Sequence, residues 1–360
     1  MNYSNYSYES ISLLEIEIST YCNAACPQCP RNVYGGKTVP DLPLINWSTD
    51  QFIDIIKKDF IQQLKVIYFC GTYGDPLMNS SLVEMCHYLK AVNPNIKIGI
   101  HTNGGAGKSE TFQQLAKLVN FIAFGIDGLD DTNHLYRRNT SWETILNNAQ
   151  SYIDAGGYAV WDFIVFKHNQ HQVETAKELS QKLGFKEFNI KKTGRFFNKA
   201  HELINKVDVQ DKNNNFLYSI EPPSINLYKN TGYELIKVKN LSKYIASTKI
   251  DCYFMKNNMV YIGADGYVFP CGFLHDRLYG IEVKRSSDYT KIKKLMDDVG
   301  GNLFTNVFFN SIKNIIDGPW FAAIKSSWDS ESRLERCAIT CGETINLVGQ
   351  QNINIKYKQG

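Results

Sequence analysis

Short apolar runs alternate with longer amphipathic stretches through the first half of the chain, and the alternation predicts the elements one by one. Leu14–Ile18 reads as a strand. Ser48 followed by Gln51 has the form of a capping box, opening a helix through Phe52, Ile55 and Ile56; Val66–Phe69 is the next strand. Asn79–Ala91 has helical spacing. The series continues with strand Ile96–His101, helix Glu110–Val119, strand Phe121–Ile126, helix Trp142–Ala155, strand Val160–Phe166, helix Val173–Leu183 and strand Glu187–Ile190. Strands separated by helices imply a parallel sheet with right-handed crossovers, and about six such units fall short of the eight of a closed barrel. The expected fold is α/β, an open partial (β/α)6 barrel.

After Arg195 the regularity gives way to Asn198–Asn215, rich in Asn and Lys, which reads as a connection. Further on, Met259–Ile262 and Tyr267–Phe269 flank Ala264-Asp265-Gly266 and read as a β-hairpin with an Asp-Gly turn. A chain of 360 residues suits one large domain and a smaller one. The expected division is a barrel over 1–196, a connecting segment over 197–250 and a small C-terminal domain over 251–360.

Charge narrows the function classes. With 39 basic against 36 acidic residues, the net charge of +3 gives no general case for nucleic acid or an anionic membrane surface. The N-terminus lacks the basic start and apolar run of a signal peptide, and no stretch approaches the roughly 18 uninterrupted apolar residues of a membrane span. A soluble, cytoplasmic protein is expected. Nine cysteines in a reducing compartment point to metal binding or chemistry rather than to a disulfide framework.

Three of them follow the first strand as Cys22-Asn23-Ala24-Ala25-Cys26-Pro27-Gln28-Cys29. Three thiolates can hold three irons of a cubane and leave the fourth iron without a protein ligand. Zinc or free buried cysteines are the alternatives, although zinc asks for a fourth ligand and none lies close in sequence. The spacing, at the carboxyl end of a first parallel strand, resembles the radical S-adenosylmethionine superfamily. Cys70-Gly71-Thr72-Tyr73-Gly74-Asp75-Pro76, after the second strand, is similar to the Gly-Gly-Glu-Pro loop of that family, with one extra residue and Asp for Glu. Glycines there let backbone approach a ligand closely. Gln28 stands where the family commonly has an aromatic or apolar residue.

The resemblance implies two cofactors in this domain: a [4Fe-4S] cluster on Cys22, Cys26 and Cys29, and S-adenosylmethionine. It also implies a cofactor-facing role for Gly71, Thr72, Gly74 and Asp75, and for Asn103 and Asp127 at the ends of strands three and four. His134-Leu135-Tyr136-Arg137-Arg138 resembles a His-Asp-x-x-Arg segment of one branch, with Arg138 in the arginine position and Leu135 in that of the Asp. Arg195, closing a basic strand end, is assigned to cofactor or substrate. Cys70 is the candidate hydrogen donor, with simple packing as the alternative. Cys86 lies at helical spacing with Leu82, Val83 and Leu89 and reads as core. Trp320, Phe321 and Trp328 do likewise.

Cys252, Cys271, Cys337 and Cys341 remain, enough for one cubane or one zinc ion. Gly266-Tyr267-Val268-Phe269-Pro270-Cys271 resembles the start of the auxiliary-cluster region in the SPASM and twitch group, and four cysteines match the shorter twitch form with a single second [4Fe-4S] cluster. The resemblance implies reductive cleavage of S-adenosylmethionine and hydrogen abstraction from a peptide or amino-acid-derived substrate, leading to oxidation, crosslinking or epimerisation. A flavodoxin- or ferredoxin-type protein would supply the electron. A small-molecule dehydrogenase or epimerase of a sugar or cyclitol is the alternative, and a non-enzymatic metal-binding protein is the alternative from a different class. No peptide-recognition domain precedes Leu14, which counts against a leader-guided enzyme.

Overall fold

A computed structural model describes residues 6–196, 204–230, 241–284 and 286–343. Six strands lie side by side in chain order: β1 (Leu13–Ile16), β2 (Val66–Phe69), β3 (Lys97–Thr102), β4 (Phe121–Gly125), β5 (Ala159–Val165) and β6 (Glu187–Lys192). Every neighbouring pair is parallel. Helices Thr49–Ile55 and Lys58–Gln63 make the first crossover, and Leu82–Val92, Ser109–Leu115, Trp142–Asp154 and Val173–Leu183 make the other four. Local chemistry sets their ends. Ser48 and Ser141 accept the backbone N–H groups of Gln51 and Thr144, and Gly184 ends its helix at φ 91°, where a side chain would be strained.

The apolar faces meet between helices and sheet. Leu82, Met85, Cys86 and Leu89 of one helix are buried, as are Ile67, Ile98, Ile100, Ile122, Phe124, Trp161 and Phe163 of the strands. Because side chains alternate along a strand, the other face carries Glu15, Tyr68, His101, Asp162, Asn189 and Lys191. One face is therefore a core and the other a polar concavity.

Two features depart from the sequence reading. The stretch Asn198–Asn215 contains a strand, not a plain connection: β7 (Val207–Gln210) pairs antiparallel with β8 (Phe216–Ile220). Residues 198–203 lie outside the described residues. The Asn- and Lys-rich turn masked a period-two pattern, in which Val207, Val209 and Ile220 pack with Tyr136, Phe166 and Cys26. The expected hairpin is present as β9 (Met259–Ile262) and β10 (Val268–Phe269), with Gly266 at φ 85° in its turn. It does not stand apart, however. β9 pairs parallel with β1, Leu13 opposite Met259 through Ile16 opposite Ile262, so the barrel sheet grows to eight strands. Trp320 and Phe321 are buried behind it, the indole N–H of Trp320 donating to the Val268 carbonyl at 2.7 Å. Among the described residues no helix is long and apolar enough to cross a membrane.

A buried polar chain fastens hairpin to barrel. Glu17, just past β1 and fully buried, accepts from the Tyr73 N–H at 3.0 Å and from the Tyr261 hydroxyl. The same hydroxyl lies 3.1 Å from His275 Nδ1, and His275 Nε2 lies 2.9 Å from Asp265 Oδ2, which also accepts from the Tyr279 hydroxyl at 2.7 Å. Burial alone pulls the imidazole down and pushes the Asp265 carboxyl up, but each partner more than reverses this in the other. The pairing thus holds His275 towards its protonated form and Asp265 towards its carboxylate.

A histidine whose folded pKa is raised contributes stability that is complete below its unfolded value of about 6.5 and is lost as pH rises through the folded value. His275→Asn leaves Asp265 buried without a cation. It is expected to lower unfolding free energy by about 3 kcal/mol near pH 6, with the gap to the parent narrowing as pH rises. Denaturant titrations at several pH values check both the loss and its direction.

Candidate active site

The loop after β1 is tied down before its first cysteine. The Thr20 hydroxyl donates to the Pro43 carbonyl at 2.7 Å, and Arg31 Nε donates to the Thr20 carbonyl at 2.9 Å. Further along, the Ala25 N–H donates to the Arg138 carbonyl. The loop carries Cys22, Cys26 and Cys29 as free thiols, Cys26 buried and the others partly so.

Three other strand ends converge on these sulfurs. Asn103, after β3, places Nδ2 3.7 Å from Cys22 Sγ. Arg137, after β4, places Nη1 3.9 Å from Cys26 Sγ. Cys29 Sγ lies 3.7 Å from the Thr72 carbonyl oxygen, after β2. Burial pushes the Cys22 and Cys26 thiols up, and the Arg137 charge draws Cys26 part of the way back.

Asp75, expected to face a ligand, is already satisfied by the protein. Its carboxylate accepts from the Thr102 hydroxyl at 2.9 Å, the Leu77 N–H at 3.0 Å, and the Asn103 N–H and Nδ2 at 2.8 and 2.7 Å. It positions Asn103, which in turn reaches the Asn23 side chain at 2.9 Å. Gly71 and Gly74 are required by contact: a Cβ on Gly71 would lie 1.9 Å from the Gly74 carbonyl oxygen, and one on Gly74 equally close to that of Ser19.

Arg138, assigned by resemblance, donates Nη1 to the Gly35 carbonyl at 2.6 Å and to that of Gln210, joining the loop to β7. The guanidinium that reaches a cysteine is that of Arg137. Asp127, fully buried, holds it through Nε at 2.6 Å, and Gly125 leaves it room, since a Cβ there would lie 2.4 Å from Nη2. The pattern offered two adjacent arginines, and only the turn of the short helix Asn133–Tyr136 decides between them. Arg195 donates Nη1 to the Gln28 carbonyl at 2.7 Å, and Gln28 Nε2 returns a bond to the Arg195 carbonyl at 3.1 Å. The end of β6 thereby closes on the cysteine loop.

Three soft thiolates with a cation and an amide beside them are a donor set suited to an iron–sulfur cluster, since hydrogen bonds and positive charge next to sulfur offset the charge of such a group. Among the described residues no three His, Cys, Asp or Glu side chains close on a common point as ligands of a metal ion do. The fit therefore rests on donor chemistry and shared burial.

Below this loop lies the polar face, whose Asp162 and Asn189 no motif signalled. Asp162 Oδ2 is 3.3 Å from Lys191 Nζ and 3.8 Å from His101 Nε2, and Asp162 Oδ1 accepts from Asn189 Nδ2 at 3.0 Å. Cys70 stands close to Glu15 and Glu17, and burial together with these carboxyls keeps its thiol protonated. Burial and the nearby Glu17 push the Glu15 carboxyl up to about 7.

The second cysteine set also comes together. Cys252 precedes the helix Tyr253–Lys256, Cys271 follows β10, and Cys337 and Cys341 sit one turn apart on the helix Glu335–Cys341. All four line one cavity. Burial pushes Cys271 and Cys337 up, whereas a hydrogen bond from Cys252 holds Cys341 below the ordinary thiol range.

An open parallel barrel with three thiols at its mouth defines a class of enzyme that works at the carboxyl ends of its strands. The profile of the radical SAM superfamily matches residues 16–179, the stretch that runs from the end of β1 through β5 into the helix after it. Its fold is similar to that of Streptococcus suis SuiB bound to precursor peptide SuiA, at 13% identity over 88% of this chain and 67% of that one, with a TM-score of 0.55. It is also similar to native anSMEcpe with bound AdoMet, at 13% identity over 91% and 88% of the two chains, with a TM-score of 0.51. Against SuiB bound to S-adenosylmethionine, the match covers 74% of this chain and 61% of that one, at 14% identity and a TM-score of 0.49; the chain thus spans about three fifths of that relative's length. Sequence comparison with curated proteins gives no match.

A carboxyl whose folded pKa exceeds its unfolded value weakens the fold once pH passes the unfolded value, because folding then has to carry a proton or bury a charge. Glu15→Gln removes that burden. Relative to the parent it is expected to gain roughly 1–3 kcal/mol between pH 5 and pH 8, a shift of one pKa unit being about 1.36 kcal/mol. Parallel thermal or urea melts at the two pH values read the change, and equal differences at both would contradict it.

Proposed function

We propose that Cys22, Cys26 and Cys29 hold a [4Fe-4S] cluster with one iron open to S-adenosylmethionine, and that the enzyme abstracts a hydrogen atom from a peptide or amino-acid-derived substrate. The observation that carries this reading is the convergence of Asn103, Arg137 and Thr72 on the three sulfurs, within a domain that matches the superfamily. When bound, such a cluster and its ligand would supply one electron and a sulfonium, the chemistry that starts hydrogen-atom abstraction.

The chain's own residues hold, orient and shield. Arg137, fixed by Asp127, offsets sulfur charge at Cys26. Asp75 and the two loop glycines fix backbone and Asn103 at the mouth, leaving carbonyls such as that of Thr72 to face the ligand. Arg195 and Gln28 close the far side of the loop. Cys70 keeps its S–H on the polar face, the state a hydrogen donor needs.

The four cysteines of the second cavity support an auxiliary [4Fe-4S] cluster with every iron ligated by protein, in a twitch-type region over 251–360. Such a cluster passes electrons rather than grasping substrate. The peptide reading draws on the fold's likeness to SuiB in its complex with a precursor peptide. The fixed polar groups around Asp162 favour a second reading, a compact hydroxylated molecule such as a sugar or cyclitol. A flavodoxin- or ferredoxin-type donor completes the scheme.

Anaerobically purified protein is expected to contain about eight irons per chain, two cubanes' worth, and to release 5′-deoxyadenosine on addition of dithionite and S-adenosylmethionine. Cys22→Ala should lower iron to about four and abolish deoxyadenosine, whereas Cys271→Ala should lower iron equally and leave some deoxyadenosine formation. Zinc in place of iron, with no deoxyadenosine, would overturn the reading.

A further inference from the structure

Two residues that line the cavity of the second cysteine set each bury a polar atom with nothing to bond. Arg336 Nε and Thr340 Oγ1 are both buried without a hydrogen-bond partner, and both residues line the cavity with Cys252, Cys271, Cys337 and Cys341. A buried donor left unmade costs about 1–3 kcal/mol, so two in one cavity ask for an occupant that accepts hydrogen bonds. Their placement is regular. Arg336 and Thr340 are four residues apart on the helix Glu335–Cys341, as are Cys337 and Cys341, so each donor sits immediately before a cysteine along adjacent rows of one helix.

Arg336 is also held from several directions. Its Nη2 lies 3.5 Å from Asp276 Oδ2, its guanidinium lies 4.9 Å from the centre of the Phe273 ring, and its backbone N–H donates to Asp288 Oδ2 at 2.9 Å. The side chain cannot swing to solvent without giving up Asp276 and Phe273, and Nε is the part left over. The rest of the lining is apolar or cysteine: Ile250, Pro270, Phe273, Leu274, Ile324 and Trp328 supply no cation. An occupant bound by four thiolates is anionic, and Arg336 supplies the cation of the lining.

We propose that Arg336 and Thr340 donate hydrogen bonds to sulfurs of the auxiliary cluster and that Arg336 raises its reduction potential. The proposal rests on the reading of the second cavity as an iron–sulfur site. N–H and O–H donors and a fixed positive charge favour the reduced, more negative cluster over the oxidised one. Neither residue ligates iron; both are positioning residues that set how readily the cluster takes an electron.

The test uses the full chain with Cys22, Cys26 and Cys29 replaced by Ala, so that the auxiliary site alone carries iron, and titrates the cluster by electron paramagnetic resonance at defined potentials. In this background, Arg336→Gln is expected to lower the ratio of reduced to oxidised cluster at fixed potential about tenfold, equivalent to about 59 mV for one electron. Arg336→Lys, which keeps the charge, should recover part of that. Thr340→Val, which keeps the shape, should move the ratio the same way by a smaller factor and remove an exchangeable deuteron coupling from the cluster's spectrum in D2O. Iron at about four per chain, with ratios and deuteron couplings unchanged in all three variants, would overturn the assignment while leaving the cluster in place. Absence of iron from the background chain would instead overturn the two-cluster reading and the assignment with it. Should Arg336→Gln fail to fold, Thr340→Val carries the test by itself.

Discussion

Any charge taken up by the sulfurs after β1 has to be compensated away from water, and groups at the neighbouring strand ends stand where they can do so. A buried ion in a low-dielectric interior is costly unless partners stand beside it. The three thiols after β1 have such partners at the ends of neighbouring strands, an amide after β3 and a guanidinium after β4, while the basic end of β6 closes on the Gln28 carbonyl of the same loop. None of these groups is held by the thiols themselves. Asp75 fixes Asn103, Asp127 fixes Arg137, and Gln28 and Arg195 fix each other. The acidic residues at the barrel mouth thus act one step away from sulfur, orienting the groups that touch it.

The same sheet brings the second cysteine set into a common framework with the first. β9 extends the barrel sheet at β1, whose end leads directly into the three-cysteine loop, while β10 leads into Cys271. The joint is locked by buried ionisable groups running from Glu17 through Tyr261 and His275 to Asp265. A buried polar chain of this kind is rigid when complete and costly when broken. The hairpin that leads into Cys271 is thereby fixed to the strand that leads into the three-cysteine loop.

Much of this was legible in the residues. Val66–Phe69 and Val173–Leu183 have the bounds read from their patterns, and the other barrel strands shift by one or two residues. Cysteine spacing singled out the first thiol set, and the hairpin run before Cys271 pointed to the second. Pairings between distant segments were not legible: nothing in Met259–Ile262 says that its partner is β1, some 246 positions earlier. The hairpin Val207–Ile220 was hidden by its polar turn. Helix phase was the other blind spot, since which of Arg137 and Arg138 meets a sulfur, or whether Arg336 and Thr340 face the cysteine cavity, depends on rotations that spacing alone leaves open. The polar face around Asp162 was unread for a related reason: its members come one or two to a strand and share only a register.

The central claim is that the loop after β1 presents an open iron to S-adenosylmethionine. Electron–nuclear double resonance on the reduced, oxygen-protected protein, with S-adenosylmethionine labelled at the methionine nitrogen with 15N and at the carboxylate with 17O, addresses it directly. Hyperfine coupling from both labels to the cluster spin is the predicted result. A reduced cluster on Cys22, Cys26 and Cys29 that couples to neither label would contradict the account.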